Sequence, residues 1–185
     1  MIFIKLQYIF GVFMMTRITH TIAGLTVATA YIGMAGNHTY LSAIPVLLAG
    51  AIGGTLPDID YHLGDARKTN TIWKHRGIGH TLLFLALCIA GFVYVGKYAH
   101  YNLNQEMMVF SLAFLSHLIL DSFTMVGVPF LYPLTIKGFC LRLFRVGTIQ
   151  EYGLITLPLL VFLVLTGIHI FPSSDIQYIF HNQYF

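Results

Sequence analysis

Polar residues are scarce along this chain and fall in short clusters between apolar runs. Five runs, near 18–36, 40–56, 81–95, 107–126 and 154–171, approach the roughly 20 apolar residues that a spanning helix needs. They are continuous and broken only by small residues, which predicts helices; barrel strands would alternate apolar and polar positions. Gly24 with Ala28, and Gly50 with Gly54, repeat at the four-residue spacing that lets helices approach closely. The pattern predicts an all-α fold, a polytopic membrane helical bundle with about five transmembrane helices.

Composition agrees. Of 185 residues 57% are apolar and 9% charged, against about 25% charged in a soluble domain. Mean hydropathy is +0.76, so an ordinary soluble domain is excluded. Cys88 and Cys140 lie far apart and give no disulfide framework. A net charge of +3 gives no indication of nucleic acid, and no internal repeat is visible. Residues 1–14 read as an N-terminal extension: an interfacial segment, part of a longer first helix, or a spurious start upstream of Met14 or Met15. Ala28-Thr29-Ala30 looks like a leader cleavage site, but Arg17 and His20 would break the apolar core a leader needs. Residues 15–172 form the body and 173–185 a short tail.

Charge placement predicts orientation. Lys5 and Arg17 precede the first run, Arg67, Lys68, Lys74 and Arg76 lie between the second and third, and Lys137, Arg142 and Arg145 between the fourth and fifth. Only Lys97 falls on the other side. The positive-inside rule then makes the N-terminus and the 57–80 and 127–150 loops cytoplasmic. The expected home is the bacterial inner membrane, with lipids as neighbours and no signal for an oligomeric state.

Against this apolar ground seven residues stand out: His20, Asp58, Asp60, His75, His80, His117 and Asp121. His117 and Asp121 are four apart, hence on one helix face, inside a membrane-length run. An ionisable group there costs roughly 2.5–3.5 kcal/mol on insertion scales, so its default reading is functional. Leu-Pro-Asp-Ile-Asp (56–60) and His-Arg-Gly-Ile-Gly-His (75–80) add carboxylates, imidazoles and a guanidinium. Taken singly, each has a plainer reading: a solvated turn, a basic loop, a His–Asp pair joining helices, a structural His20. With the predicted topology all seven fall at one membrane face, and His with Asp is the ligand set of zinc and related divalent ions. His38, His62, His100, His169 and His181 lie in loops, on the outer side or in the tail and are set aside. Glu106 and Glu151 sit at span boundaries and carry no signal of their own.

In their order, Thr19-His20 with Gly24, Leu56-Pro57-Asp58-Ile59-Asp60, His75-Arg76-Gly77 with His80, and Ser116-His117-Leu118 with Leu120-Asp121, Thr124, Gly127 and Pro133 resemble the YdjM-type family of bacterial inner-membrane proteins. That family is described as LexA-regulated, membrane-bound, metal-dependent hydrolases. The resemblance covers roughly residues 15–172 and departs at Gly79, usually threonine, and Thr81, commonly serine. It implies a membrane-bound hydrolase, and the His-xxx-Asp pair is similar to that of zinc-dependent phospholipase C and its nuclease relatives.

The residues themselves suit one or two divalent ions, zinc foremost and manganese or magnesium next. His117, Asp121, His80 and Asp58 are the expected direct ligands, with His20, Asp60 and His75 completing a second ion or orienting the first. Asp60, left unligated, is the expected general base, and Arg76 the holder of a substrate phosphate. A position at headgroup depth favours a lipid or lipid-linked phosphoester. The alternative is a non-enzymatic membrane protein, a metal or proton carrier or a metal-stapled scaffold. Carriers tend to repeat their halves and bind near the midplane, which this pattern does not do.

Overall fold

A computed structural model describes residues 2–36, 39–59, 77–125, 127–135, 137–143 and 148–171. Five helices follow one another: α1 (Ile2–Ala35), α2 (Tyr40–Thr55), α3 (Leu82–Tyr98), α4 (Asn104–Ser122) and α5 (Ile149–Ile170). No strand occurs among the described residues; Val128 and Phe139 make one isolated antiparallel bridge. The fold is an all-helical membrane bundle, as the apolar runs predict. Arg17–Ala35, Leu41–Ile59 and Ile149–Ile170 are long and apolar enough to cross a membrane, and Leu82–Tyr98 is a shorter apolar helix. At 19 residues α4 is equally long, but Asn104, Glu106, His117 and Asp121 dilute its apolar character. The first run does not stop at residue 18: helix continues back to Ile2, so residues 2–14 extend α1.

Helices α1, α2 and α4 pack on one another, α5 lies against α1, and α3 against α4. Glycine sets how close the central helices come. A Cβ on Gly50 would lie 2.5 Å from the Gly24 carbonyl oxygen, and one on Gly53 would lie 2.5 Å from that of Phe110. A Cβ on Gly54 would collide with the carbonyl of His20. With no side chain between them, backbones meet directly, which is how membrane helices gain packing energy where lipid tails are as apolar as leucine. Apolar clusters fill the remaining space, Phe110, Phe114 and Leu118 toward α3 and Ala28, Ile32, Val46 and Val109 between α1, α2 and α4.

The α1–α5 contact is different in kind. Hydroxyls line it: Thr26 Oγ1 lies 3.4 Å from the Leu159 carbonyl oxygen and Thr166 Oγ1 3.3 Å from Thr29 Oγ1, while each gives its proton to its own helix, to Ile22 O and Phe162 O at 2.7 Å. The rest of α5 is apolar and turned outward, with Leu154, Leu165 and Ile168 exposed, as a lipid-facing helix should be. At the far end of α4 the chain after Ser122 folds back, Leu141 N–H donating to Ser122 O at 2.7 Å and Leu82 N–H to Phe130 O at 3.0 Å. This ties the entry of α3 to the exit of α4, where the polar residues gather.

Candidate metal centre

Four elements bring five of the seven singled-out side chains to one point. His20 comes from α1, Asp58 from the 3-10 turn Leu56–Ile59 that ends α2, His80 from the 3-10 turn Ile78–His80 before α3, and His117 and Asp121 from α4. All five are buried, His80 and His117 completely. Asp60, His75 and Arg76 lie outside the described residues, so the expected general base and phosphate holder have no structural description.

Local sequence explains each placement. In the i to i+3 pattern of the turn after α2, the residue that would donate to the Gly54 carbonyl is Pro57, which has no N–H. That carbonyl instead meets His117 Nδ1 at 2.8 Å. A carbonyl only accepts, so Nδ1 carries the proton and Nε2 presents its lone pair to the centre. Before α3, Thr81 Oγ1 donates to Ile78 O at 2.7 Å and caps the helix by accepting from Phe84 N–H at 3.1 Å. The cap holds the turn that carries His80. Serine and threonine both cap helices, so either would serve at position 81. After Asp121, Thr124 Oγ1 donates to the Asp121 carbonyl at 2.8 Å, fixing the end of α4.

Four of the donor atoms converge. His80 Nε2 lies 3.2 Å from His117 Nε2, 3.5 Å from Asp58 Oδ1 and 3.3 Å from Asp121 Oδ2. His117 Nε2 lies 3.8 Å from Asp58 Oδ1 and 3.7 Å from Asp121 Oδ2. A tetrahedron with arms of about 2.0–2.2 Å, the zinc range for nitrogen and oxygen, has edges of about 3.3–3.6 Å. These five separations lie near that length. A lone pair and two carboxylates aimed at one point repel unless a cation sits among them, so the donor set suits a divalent ion.

His20 adds a fifth group. Its ring stacks on His117 with centroids 3.7 Å apart, and its Nε2 is 3.3 Å from Asp121 Oδ1. The two oxygens of Asp121 are thus divided, Oδ2 toward His80 and His117 and Oδ1 toward His20. Beyond that contact with Asp121 the ring is unsatisfied: His20 Nδ1 makes no hydrogen bond among the described residues, although the side chain is buried. Such an orphan needs a water or an ion. Two triads, His20 with Asp58 and His117, and His80 with His117 and Asp121, are close enough to share one.

One further residue arrives that the sequence did not flag. Glu151, at the start of α5, is buried and accepts from Thr19 Oγ1 at 3.1 Å. Its contact spans 132 positions, which no local pattern reveals. The available signal was its place, directly before the last span and on the side where the other polar residues cluster.

The model of the YdjM inner membrane proteins matches residues 14–179 of this chain. Among curated proteins, the uncharacterized protein YvsG of Bacillus subtilis (strain 168) is 26% identical over 181 residues, covering 92% of this chain and 100% of its own length. No solved structure matches.

Proposed function

Because the chain belongs to the YdjM inner membrane protein family and gathers a buried His/Asp cluster compatible with a metal ion, we propose that it is a membrane-bound, divalent-metal-dependent hydrolase acting on a phosphoester of a lipid or lipid-linked substrate. The observation that carries this reading is the pair of buried donor triads that share His117, His80 with His117 and Asp121, and His20 with Asp58 and His117. In it His80, His117, Asp58 and Asp121 hold the ion, zinc foremost, and His20 orients Asp121 from the other side. A divalent ion held there would polarise a phosphoryl oxygen and make water a nucleophile at neutral pH. The chain's own part is to aim His117 Nε2 inward through the Gly54 bond, to set the two aspartates against the imidazoles, and to keep bulk water out by burial. Lys and Arg placement, with Arg17 three residues before His20 and Lys97 near the far end of α3, supports a cytoplasmic position for the centre. There it would meet inner-leaflet headgroups, with Arg76 as the holder of their phosphate and Asp60 as a further carboxylate.

One feature favours a second reading, a metal-stapled scaffold. Structural metal sites are closed while catalytic ones keep an open position, and all five side chains here are buried. Metal content per chain, by mass spectrometry of detergent-purified protein beside a His117→Ala/Asp121→Ala variant, tests the common premise. One or two equivalents in the native chain, absent from a folded variant, is the expected result; a native chain with none sinks both readings. Hydrolysis of a phosphoester panel by the loaded protein then separates enzyme from staple.

A further inference from the structure

Between α4 and α5 the described residues 127–135 and 137–143 form no helix, yet they are not built like a loop in water. One edge is anchored at membrane depth. Val128 is fully buried in a cluster with Leu85, Phe114 and Leu118, one turn or more inside the ends of α3 and α4, and Phe130 packs against the same cluster. The backbone is tied off as well. Val128 and Phe139 exchange N–H···O bonds at 2.9 and 3.0 Å, Leu141 N–H donates to Ser122 O at 2.7 Å and Leu143 N–H to Phe123 O at 2.9 Å. The N–H groups of Thr135 and Lys137 meet Leu131 O and Thr135 Oγ1, both at 3.2 Å, while Pro129 and Pro133 have no N–H to satisfy. Free backbone polar groups are costly wherever water is scarce, so a backbone paired in this way tolerates contact with lipid.

The other edge is apolar and bare. Leu134 is 89% and Leu143 65% exposed, with Leu131, Phe139 and Leu141 exposed beside them. Phe139 rests its ring against Phe130, centroids 6.2 Å apart, and still leaves over half of its surface open. Exposed leucines are ordinary on spanning helices; grouped on a non-helical segment they mark a surface that something covers. Two exposed cations, Lys137 and Arg142, stand among them, and residues 127–143 contain no acid. We propose that this segment is an interfacial membrane anchor: its leucines and Phe139 enter the acyl chains of one leaflet, and Lys137 and Arg142 bind that leaflet's anionic headgroups. The hydrocarbon centre does not admit lipid-exposed irregular backbone, so the segment lies at the boundary of headgroups and acyl chains, ~5–10 Å deep as amphipathic surface segments do. There each cation is drawn to anionic lipid. The anchor is continuous with the metal centre, because Leu141 is bonded to Ser122, the residue after Asp121. The expected cytoplasmic loop at 127–150 is thereby refined to one lying in the membrane surface, with lipid brought beside the His/Asp cluster. Docking of this kind requires neither metal nor turnover and is independent of the hydrolase reading.

Nitroxide depth measurements test it. Leu134→Cys, Leu143→Cys and, as a lipid-facing reference in α5, Leu165→Cys are labelled one at a time in a Cys88→Ser/Cys140→Ser chain. Each is placed in nanodiscs of phosphatidylcholine or of an equal mixture with phosphatidylglycerol. Collisions with oxygen, which concentrates among acyl chains, are compared with collisions with a water-soluble nickel chelate. Oxygen should win at all three positions, by less at 134 and 143 than at 165, and the two loop labels should shift deeper in the mixed discs. Lys137→Gln/Arg142→Gln should abolish that shift and leave the label at 165 unchanged. Nickel winning at 134 and 143 overturns the proposal, because the segment then lies in water. Low collision with both reagents overturns it too, and spin–spin broadening would then identify a second copy of the chain as the cover. Equal depth in the two kinds of disc overturns the choice of an anionic leaflet. The unsubstituted chain gives a reading that no substitution disturbs: a lipid with a diazirine in its acyl chain, photolysed in the same discs, should cross-link to residues 131–143 as well as to α5. Cross-links confined to the helices overturn the proposal.

Discussion

Helix α4 buries two carboxylates about 22 Å apart, one near each end, at 1.5 Å per residue. Asp121 stands among three imidazoles, at 3.3 Å from His20, 3.3 Å from His80 and 3.7 Å from His117. Glu106 has one carboxylate oxygen with no hydrogen-bond partner among the described residues. Both pay the same kind of desolvation penalty, yet only one is met by donors from other elements. Burial of an acid therefore does not define a site in this bundle. Convergence from separate helices does, and the difference between the two ends of α4 gives a series of tests.

The largest effect should come from Asp121→Asn, which keeps shape and removes the charge that three imidazoles share. Metal affinity should fall by more than the roughly 10–100-fold that losing an outer-shell partner costs, read by chelator competition; an unchanged affinity would put the ion elsewhere. Next comes Gly24→Val at the helix seam. Its side chain would meet the Gly50 backbone, and overpacking of this kind costs typically 1–3 kcal/mol. Lower thermal stability together with weaker metal binding is expected, since the seam sets His20 against Gly54; weaker metal binding at native stability would contradict that link. Thr81→Ala should cost about 1 kcal/mol through the lost helix cap and loosen metal binding through His80, while Thr81→Ser should match the native chain in both thermal midpoint and zinc content. Smallest of all, Glu106→Gln should leave metal content untouched and the thermal midpoint nearly equal, because the side chain keeps its shape and Oε2 has no hydrogen-bond partner among the described residues to lose. A clear drop in either would mean that the outer end of α4 has a partner of its own, and the contrast between its ends would fail.

The bundle was largely legible in the sequence, because continuous apolar runs near membrane length have few alternatives. Four helix positions follow the runs within a few residues. In α1 the helix continues through residues 2–16, which picks out the longer first helix among the readings that the sequence leaves open there. Five polar residues of the centre could be picked out: His20, His117 and Asp121 because they interrupt apolar runs, Asp58 and His80 because their short polar motifs fall at the same predicted membrane face. Glu151 could not. An acid at a span boundary is ordinary, and what makes it unusual is contact with Thr19 across nearly the whole chain. A π-helical turn was equally hidden, since Tyr152–Thr156 reads as the opening of a regular apolar helix. Local anomaly can be read along the chain; a relation between two ordinary residues cannot.

Pro57 stands in the turn after α2 and touches the centre only through what it lacks. A residue with an N–H there would offer the Gly54 carbonyl a partner within its own turn, in competition with His117. The carbonyl has two lone pairs, so the bond to His117 would be shared rather than lost, and the lone pair now aimed inward would be held less firmly. A hydrogen atom missing from one helix end thereby steadies a ring on another helix. The identity of a residue that binds nothing decides how firmly His117 faces whatever occupies the centre.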